Sequence, residues 1–152
     1  MTNLNFEIKM ETDDDGYATF ECPFCESTFG LSALEFNDEK NSIYNEMYCP
    51  YCGLSDEINH FYPKEVIEQV KNMAINYMND EINKMFSKMI KSTNNKYIKM
   101  TYKPLKNRKI ENIKTQEGTE NIFECHNCKN HIKVEYCVGK AKVFCTYCGL
   151  DI

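Results

Sequence analysis

Eight of the nine cysteines fall into four Cys-x-x-Cys pairs: Cys22/Cys25, Cys49/Cys52, Cys125/Cys128 and Cys145/Cys148. One such turn points two sulfurs at a common centre. Two turns brought together by a hairpin complete the thiolate tetrahedron that Zn2+ favours. The pairs form two sets, with 23 residues between the inner cysteines of the first set and 16 in the second. The expectation is two structural Zn2+ sites. Cys22, Cys25, Cys49 and Cys52 would hold one, and Cys125, Cys128, Cys145 and Cys148 the other. Units of a few tens of residues bury too little surface to stay folded unaided, so metal staples suit a 152-residue chain that is 27% charged.

The sets belong to an internal repeat. "FECPFC" (20–25) and "FECHNC" (123–128) open the two copies, and "YCPYCGL" (48–54) and "FCTYCGL" (144–150) close them. Gly53 and Gly149 follow the second cysteine of each closing pair, where a left-handed backbone is easiest for glycine. Strands are expected at 6–10, 17–21, 130–136 and 141–144. Asp13–Gly16 should turn the first hairpin, and Gly139 a later one. Ser32 and Glu35 have capping-box spacing for one helical turn.

Between the copies, Pro63 suits the start of a helix. Apolar residues recur at Val66, Ile67, Val70, Met73, Ala74, Tyr77, Met78, Ile82, Met85, Phe86, Met89 and Ile90. That is a broad helical stripe over 63–92. Such a helix is a core element, or a surface for a protein partner or for self-association. Residues 95–114 alternate well enough for two strands, 97–103 and 108–114, about a Pro104–Asn107 turn. This basic hairpin carries Lys96, Lys99, Lys103, Lys106, Arg108, Lys109 and Lys114, interleaved with Tyr97 and Tyr102. Cations among aromatics suit single-stranded nucleic acid, and equally a solvated ribbon edge.

Charge is uneven: residues 1–62 hold 13 acids against two lysines, whereas the chain as a whole has a net charge of −5. Two four-thiolate zinc sites would add to the acidity, which argues against a general nucleic-acid coat. Arg108 stands alone beside 17 lysines, and asparagine is abundant; both read as nucleotide-composition bias. The N-terminal residues have neither a basic region nor an apolar run, and no segment is apolar enough to span a membrane. A reducing cytoplasm is therefore expected, where paired cysteines bind metal or do redox work.

Segments 17–58 and 122–152 resemble zinc ribbons of the transcription-factor type, with rubredoxin-like Cys-Pro-x-Cys-Gly knuckles. The resemblance implies a metal site and a fold, not a task. Asp38-Glu39 also resembles the acidic pair of transcript-cleavage elongation factors, but Phe36 and Asn37 replace the arginine and serine that precede that pair there. Cys49-Pro50-Tyr51-Cys52 matches a glutaredoxin-type dithiol by letters. Such a dithiol needs a helix directly after its nucleophile, and Gly53-Leu54-Ser55-Asp56 is a poor helix start. Cys137, His60, His126 and His131 read as bystanders, with ligand or redox-sensor roles as the alternative.

The expected architecture is a small α+β protein. Two four-cysteine zinc ribbons (1–62 and 122–152) would be joined by an amphipathic helix (63–94) and by a basic hairpin with its linker (95–121). The expected function is that of a non-enzymatic, cytoplasmic accessory or adaptor protein acting through protein contacts. A nucleic-acid-binding regulator using 96–114 is the alternative, and a thiol redox enzyme a minor one. No catalytic residue, small-molecule substrate or membrane partner is expected.

Overall fold

The computed structural model describes residues 9–38, 46–94, 97–111, 113, 120–135 and 142–152. The protein is α+β, with short antiparallel strands and one long helix. It divides into two compact units. One comprises Lys9–Lys64 with the described part of Asn112–Ile152; the other spans Glu65–Glu111.

In the first unit, β1 (Tyr17–Glu21) and β2 (Thr28–Ser32) form a hairpin, followed by one helical turn, α1 (Ala33–Phe36). β3 (Glu46–Tyr48) and β4 (Ser55–Glu57) form a second, smaller sheet. A 3-10 turn, Ile58–Phe61, then leads towards α2 (Lys64–Thr93). β5 (Glu120–Glu124) and β6 (His131–Glu135) repeat the β1–β2 hairpin. Each starts 103 residues after its counterpart, 17 to 120 and 28 to 131, and the cross-strand register is the same.

The two copies share one sheet, in the order β1-β2-β6-β5. β2 meets β6 antiparallel, with Gly30 opposite Lys133. Those two residues are equivalents in the repeat, so a local pseudo-twofold axis passes between them. A side chain at Gly30 would place its Cβ 2.9 Å from Lys133 Cβ, and glycine is what lets the copies close.

One face of the sheet is apolar. Phe20, Phe29, Leu31, Ile132 and Val134 are buried together with Met47, Phe61 and Val143. Phe29 packs edge-on against Phe61, and Phe20 against Tyr62 and Phe36. Each fully buried side chain of this size contributes roughly 1.5–3 kcal/mol. On β6, Ile132 and Val134 point inward and Lys133 outward, as the alternation implies. There the Lys133 ammonium sits 2.5 Å from Asp13 and 3.0 Å from Asp15.

Several expectations are corrected. β1 pairs with β2, which was not anticipated, and residues 9–10 of the expected 6–10 strand are not in a strand. Strand β5 begins at Glu120, inside the stretch expected to be linker. At the other end of the second copy, Phe144 makes only an isolated bridge to Asp151. The capping box does not form: Ser32 makes no side-chain cap, and the Glu35 carboxylate goes to His131, accepting from its backbone amide at 2.6 Å and meeting its Nδ1 at 2.6 Å.

The basic hairpin is absent from 97–111, which contains no strand among the described residues. Its backbone groups bond instead to asparagine side chains of α2: Asn76 to Arg108, and Asn83 to Leu105. The helix spans Lys64–Thr93, close to the expected 63–92, roughly 45 Å at 1.5 Å per residue. Val66 is its only buried residue among those described.

Candidate metal centres

The four Cys-x-x-Cys segments adopt one turn. In each, the residue after the second cysteine donates its amide to the carbonyl of the first: Glu26 to Cys22, Gly53 to Cys49, Lys129 to Cys125 and Gly149 to Cys145, at 2.8–3.0 Å. The first cysteine's own amide donates to a carbonyl five residues on. Closing the turn requires positive φ at the donor residue: 57° at Glu26, 71° at Gly53, 63° at Lys129 and 73° at Gly149. Amides within the turn point at the sulfur of the first cysteine, as Phe24 N and Tyr51 N do at 3.4 Å from Cys22 Sγ and Cys49 Sγ.

Glycine accepts that backbone freely, whereas a residue with a Cβ is strained there. Lys129→Gly and Glu26→Gly are therefore expected to stabilise the metal-loaded protein by about 1 kcal/mol each in urea unfolding. The ion pairs they lose, Lys129–Glu124 and Glu26–Lys64, are at 3.6 Å and exposed, and exposed pairs contribute little.

The turns assemble in two sets of four. Cys22, Cys25, Cys49 and Cys52 bring their sulfurs within 4.8 Å of one another, and so do Cys125, Cys128, Cys145 and Cys148. Across each set, Cys22–Cys52 are 3.8 Å apart, Cys25–Cys49 3.6 Å, Cys125–Cys148 3.6 Å and Cys128–Cys145 3.4 Å. A disulfide would need about 2.05 Å. A tetrahedron of thiolates around Zn2+ at 2.3 Å has edges of about 3.8 Å. The residues present thus fit a tetrahedral metal ion with no remaining ligand position.

The first cysteine of every pair is buried, and the second lies closer to solvent. Burial pushes the thiols of Cys22, Cys49, Cys128 and Cys145 up. At Cys25 burial acts the same way, but hydrogen bonds from Ser27 outweigh it and bring the thiol down to about 7. At Cys125 the amides of Cys128 and Asn127 do the same, again to about 7.

The two centres interlock across the pseudo-twofold axis. Tyr48 donates its amide to the Thr146 carbonyl at 3.0 Å, and Phe144 donates to the Pro50 carbonyl at 2.9 Å. Equivalent residues thus exchange equivalent bonds. Tyr48 also lies over Gly149, and Phe144 over Gly53, so tightly that a Cβ would sit 2.8 Å and 3.1 Å from the respective rings. The repeated "aromatic-Cys-x-Tyr-Cys-Gly" had marked these aromatics and glycines, but not that each serves the other copy.

The repeated tyrosines differ. Tyr51 donates to the Thr28 carbonyl at 2.7 Å and accepts from the Glu135 amide at 3.1 Å, tying β2 to β6; burial raises its pKa to about 12. The Tyr147 hydroxyl is buried and has no hydrogen-bond partner among the described residues. Tyr51→Phe is expected to cost about 1–2 kcal/mol in denaturant unfolding, with Tyr147→Phe near neutral. Equal effects would contradict this assignment.

Other residues singled out from the sequence stand apart from the sulfur clusters. His60 pairs with Asp56 at 2.9 Å, His131 with Glu35, and His126 is exposed. Asp38 is exposed, whereas Glu39, Cys137, Lys96 and Lys114 lie outside the described residues. Lys99, Lys103, Lys106, Arg108 and Lys109 are exposed along 97–111. No described helix is long and apolar enough to cross a membrane. No protein-family model matches this chain, and no curated protein or solved structure was found to be similar to it.

Proposed function

We propose that the protein is a non-enzymatic adaptor built on two zinc ribbons. Cys22, Cys25, Cys49 and Cys52 would bind one structural Zn2+, and Cys125, Cys128, Cys145 and Cys148 a second. Four-thiolate shells favour a structural role, because catalytic zinc keeps a position for water or substrate. Cys52 is followed by Gly53 at φ 71° and then by β4, not by a helix. That supports a metal knuckle over a redox dithiol, and a reducing, cytoplasmic setting suits it.

The observation that carries the adaptor reading is the apolar stripe of α2. Met78, Met85, Phe86 and Met89 are 59%, 69%, 40% and 44% exposed. A contiguous apolar face of this kind marks a contact surface for another protein, and methionine adapts readily to a partner's shape. Light scattering and hydrogen exchange on the zinc-loaded chain test the reading. A strict monomer whose helix amides are as protected as those of β2 and β6 would remove the stripe as a docking surface.

A nucleic-acid role for 97–111 rests on its five exposed cations. Two of them are already engaged: Lys109 with Glu111 at 2.7 Å and Arg108 with Asn72 at 3.1 Å. The secondary reading requires an affinity that falls with salt and with Lys103, Lys106 and Lys109→Glu. Absence of DNA or RNA binding at low salt would end it.

A further inference from the structure

α2 meets the 97–111 segment through a row of side-chain amides. Asn72, Asn76, Asn79 and Asn83 recur at intervals of four, three and four residues, which stacks them on one helical face, and Gln69 extends the row. The Asn76 side-chain amide donates to the Arg108 carbonyl at 2.9 Å and accepts from the Arg108 amide at 2.6 Å. Asn83 holds Leu105 in the same two-way manner, at 3.0 and 2.9 Å. Asn94, just past the helix, does so with Met100 at 3.3 and 2.6 Å. Asn79 and Gln69 donate to the carbonyls of Lys106 and Glu111.

A carboxamide that grips both the N–H and the C=O of one residue supplies what a neighbouring strand would supply. Bonds of this kind read extended backbone and not side-chain identity. Three side chains of the segment are read as well. Tyr102 stacks on Phe86 with centroids 4.8 Å apart and donates to Asn83 Oδ1 at 2.5 Å. Asn107 donates to Asp80 at 3.0 Å, and the Arg108 guanidinium to Asn72 at 3.1 Å.

We propose that this amide row is a binding site for an extended peptide segment of a partner protein, one with an aromatic residue and an arginine six positions further on, and that 97–111 is the chain's own displaceable occupant. The spacing is that of Tyr102 and Arg108, two of the side chains that α2 contacts. Displacement is cheap because no residue of 97–111 is buried, and even its apolar side chains Ile98, Met100, Leu105 and Ile110 stay 41–49% exposed. The bonds holding the rest are open to water, which competes for them, and such contacts open first. The proposal rests on the adaptor reading, whose partner class it names. It uses a face roughly 130° around α2 from Met78, Met85 and Met89 and shares Phe86 with the stripe, so the methionine face can fail without the amide row failing.

The test uses the full zinc-loaded chain with 97–111 replaced by a Gly/Ser stretch of equal length, and a labelled synthetic peptide of residues 97–111 as probe. Zinc content and helical circular dichroism verify that each variant is folded. The expected result is saturable 1:1 binding. It should weaken at least tenfold with Asn76→Ala plus Asn83→Ala in the protein, or with Tyr102→Ala in the peptide. The unaltered chain, its own segment in place, should bind the peptide at least tenfold more weakly still. Three results would overturn the proposal. One is no binding to the replaced chain at millimolar peptide. Another is binding that is lost when the peptide lysines become glutamine yet is indifferent to the asparagine variants, since that is charge attraction alone. The third is an unaltered chain that runs as a dimer and reverts to a monomer when 97–111 is replaced, because the occupant is then a second copy.

Discussion

Cys49→Ala is expected to empty both metal centres, not one, and to unfold the sheet that joins them. A structural zinc site of this type contributes on the order of 10 kcal/mol, comparable with the whole stability of a small domain. Losing one site therefore removes most of what holds the first copy of the repeat together. Loss should reach the second centre because Tyr48 and Phe144 bond across to the carbonyls of Thr146 and Pro50. Metal analysis of the purified variant should find well under one zinc per chain, with the near-ultraviolet signal of the tyrosines lost. One retained zinc with an intact second hairpin would show that the copies fold independently.

Acid should produce the same outcome reversibly. Metal ligation requires thiolates, so the loaded state carries fewer protons than the metal-free one. Loaded stability therefore rises with pH and falls as acid competes for the sulfurs. Burial raises Cys49 and Cys145, while Cys25 and Cys125 lie at about 7. Below that value Cys25 and Cys125 are mainly protonated in the metal-free chain, as are the raised thiols of Cys22, Cys49, Cys128 and Cys145. Zinc release, followed with a colorimetric chelator, should accordingly be steep on the acid side of neutrality.

The second large effect is expected at Gly149. An alanine there meets two penalties at once: a backbone at φ 73°, and a Cβ 2.8 Å from the Tyr48 ring. Left-handed strain costs roughly 1–2 kcal/mol, and overpacking roughly 1–3. A loss of about 3 kcal/mol in urea unfolding is expected. The pair Gly149→Ala and Tyr48→Ala separates the two penalties, since removing the ring relieves the crowding but not the strain. Their effects should be non-additive by at least about 1 kcal/mol. Additive effects would mean that Tyr48 does not cap Gly149.

The cysteine sets were legible because a tetrahedral metal dictates spacing, and spacing survives in a linear string. α2 was legible because its apolar residues repeat with the helical period. Strand β2 was not, since Thr28-Phe29-Gly30-Leu31-Ser32 is broken by a glycine whose purpose lies in the other copy. The shared sheet was hidden for the same reason: pairing of Gly30 with Lys133 joins residues far apart in sequence. The 97–111 segment misled because alternation and a Pro-containing turn imply strands only where a neighbouring strand completes the hydrogen bonds. Here the amides of α2 do so. Asn72, Asn76, Asn79 and Asn83 looked like compositional bias, although their helical spacing was in view.

The axis between Gly30 and Lys133 also settles which halves can meet. Two first copies would bring glycine against glycine and leave a gap where a side chain belongs. Two second copies would bring ammonium against ammonium across a 2.9 Å Cβ approach. Only the unlike pairing fills the space and keeps the charge on one side, where Asp13 and Asp15 receive it. Each half therefore fits the unlike half better than its own likeness, which makes two identical halves poor partners for one another.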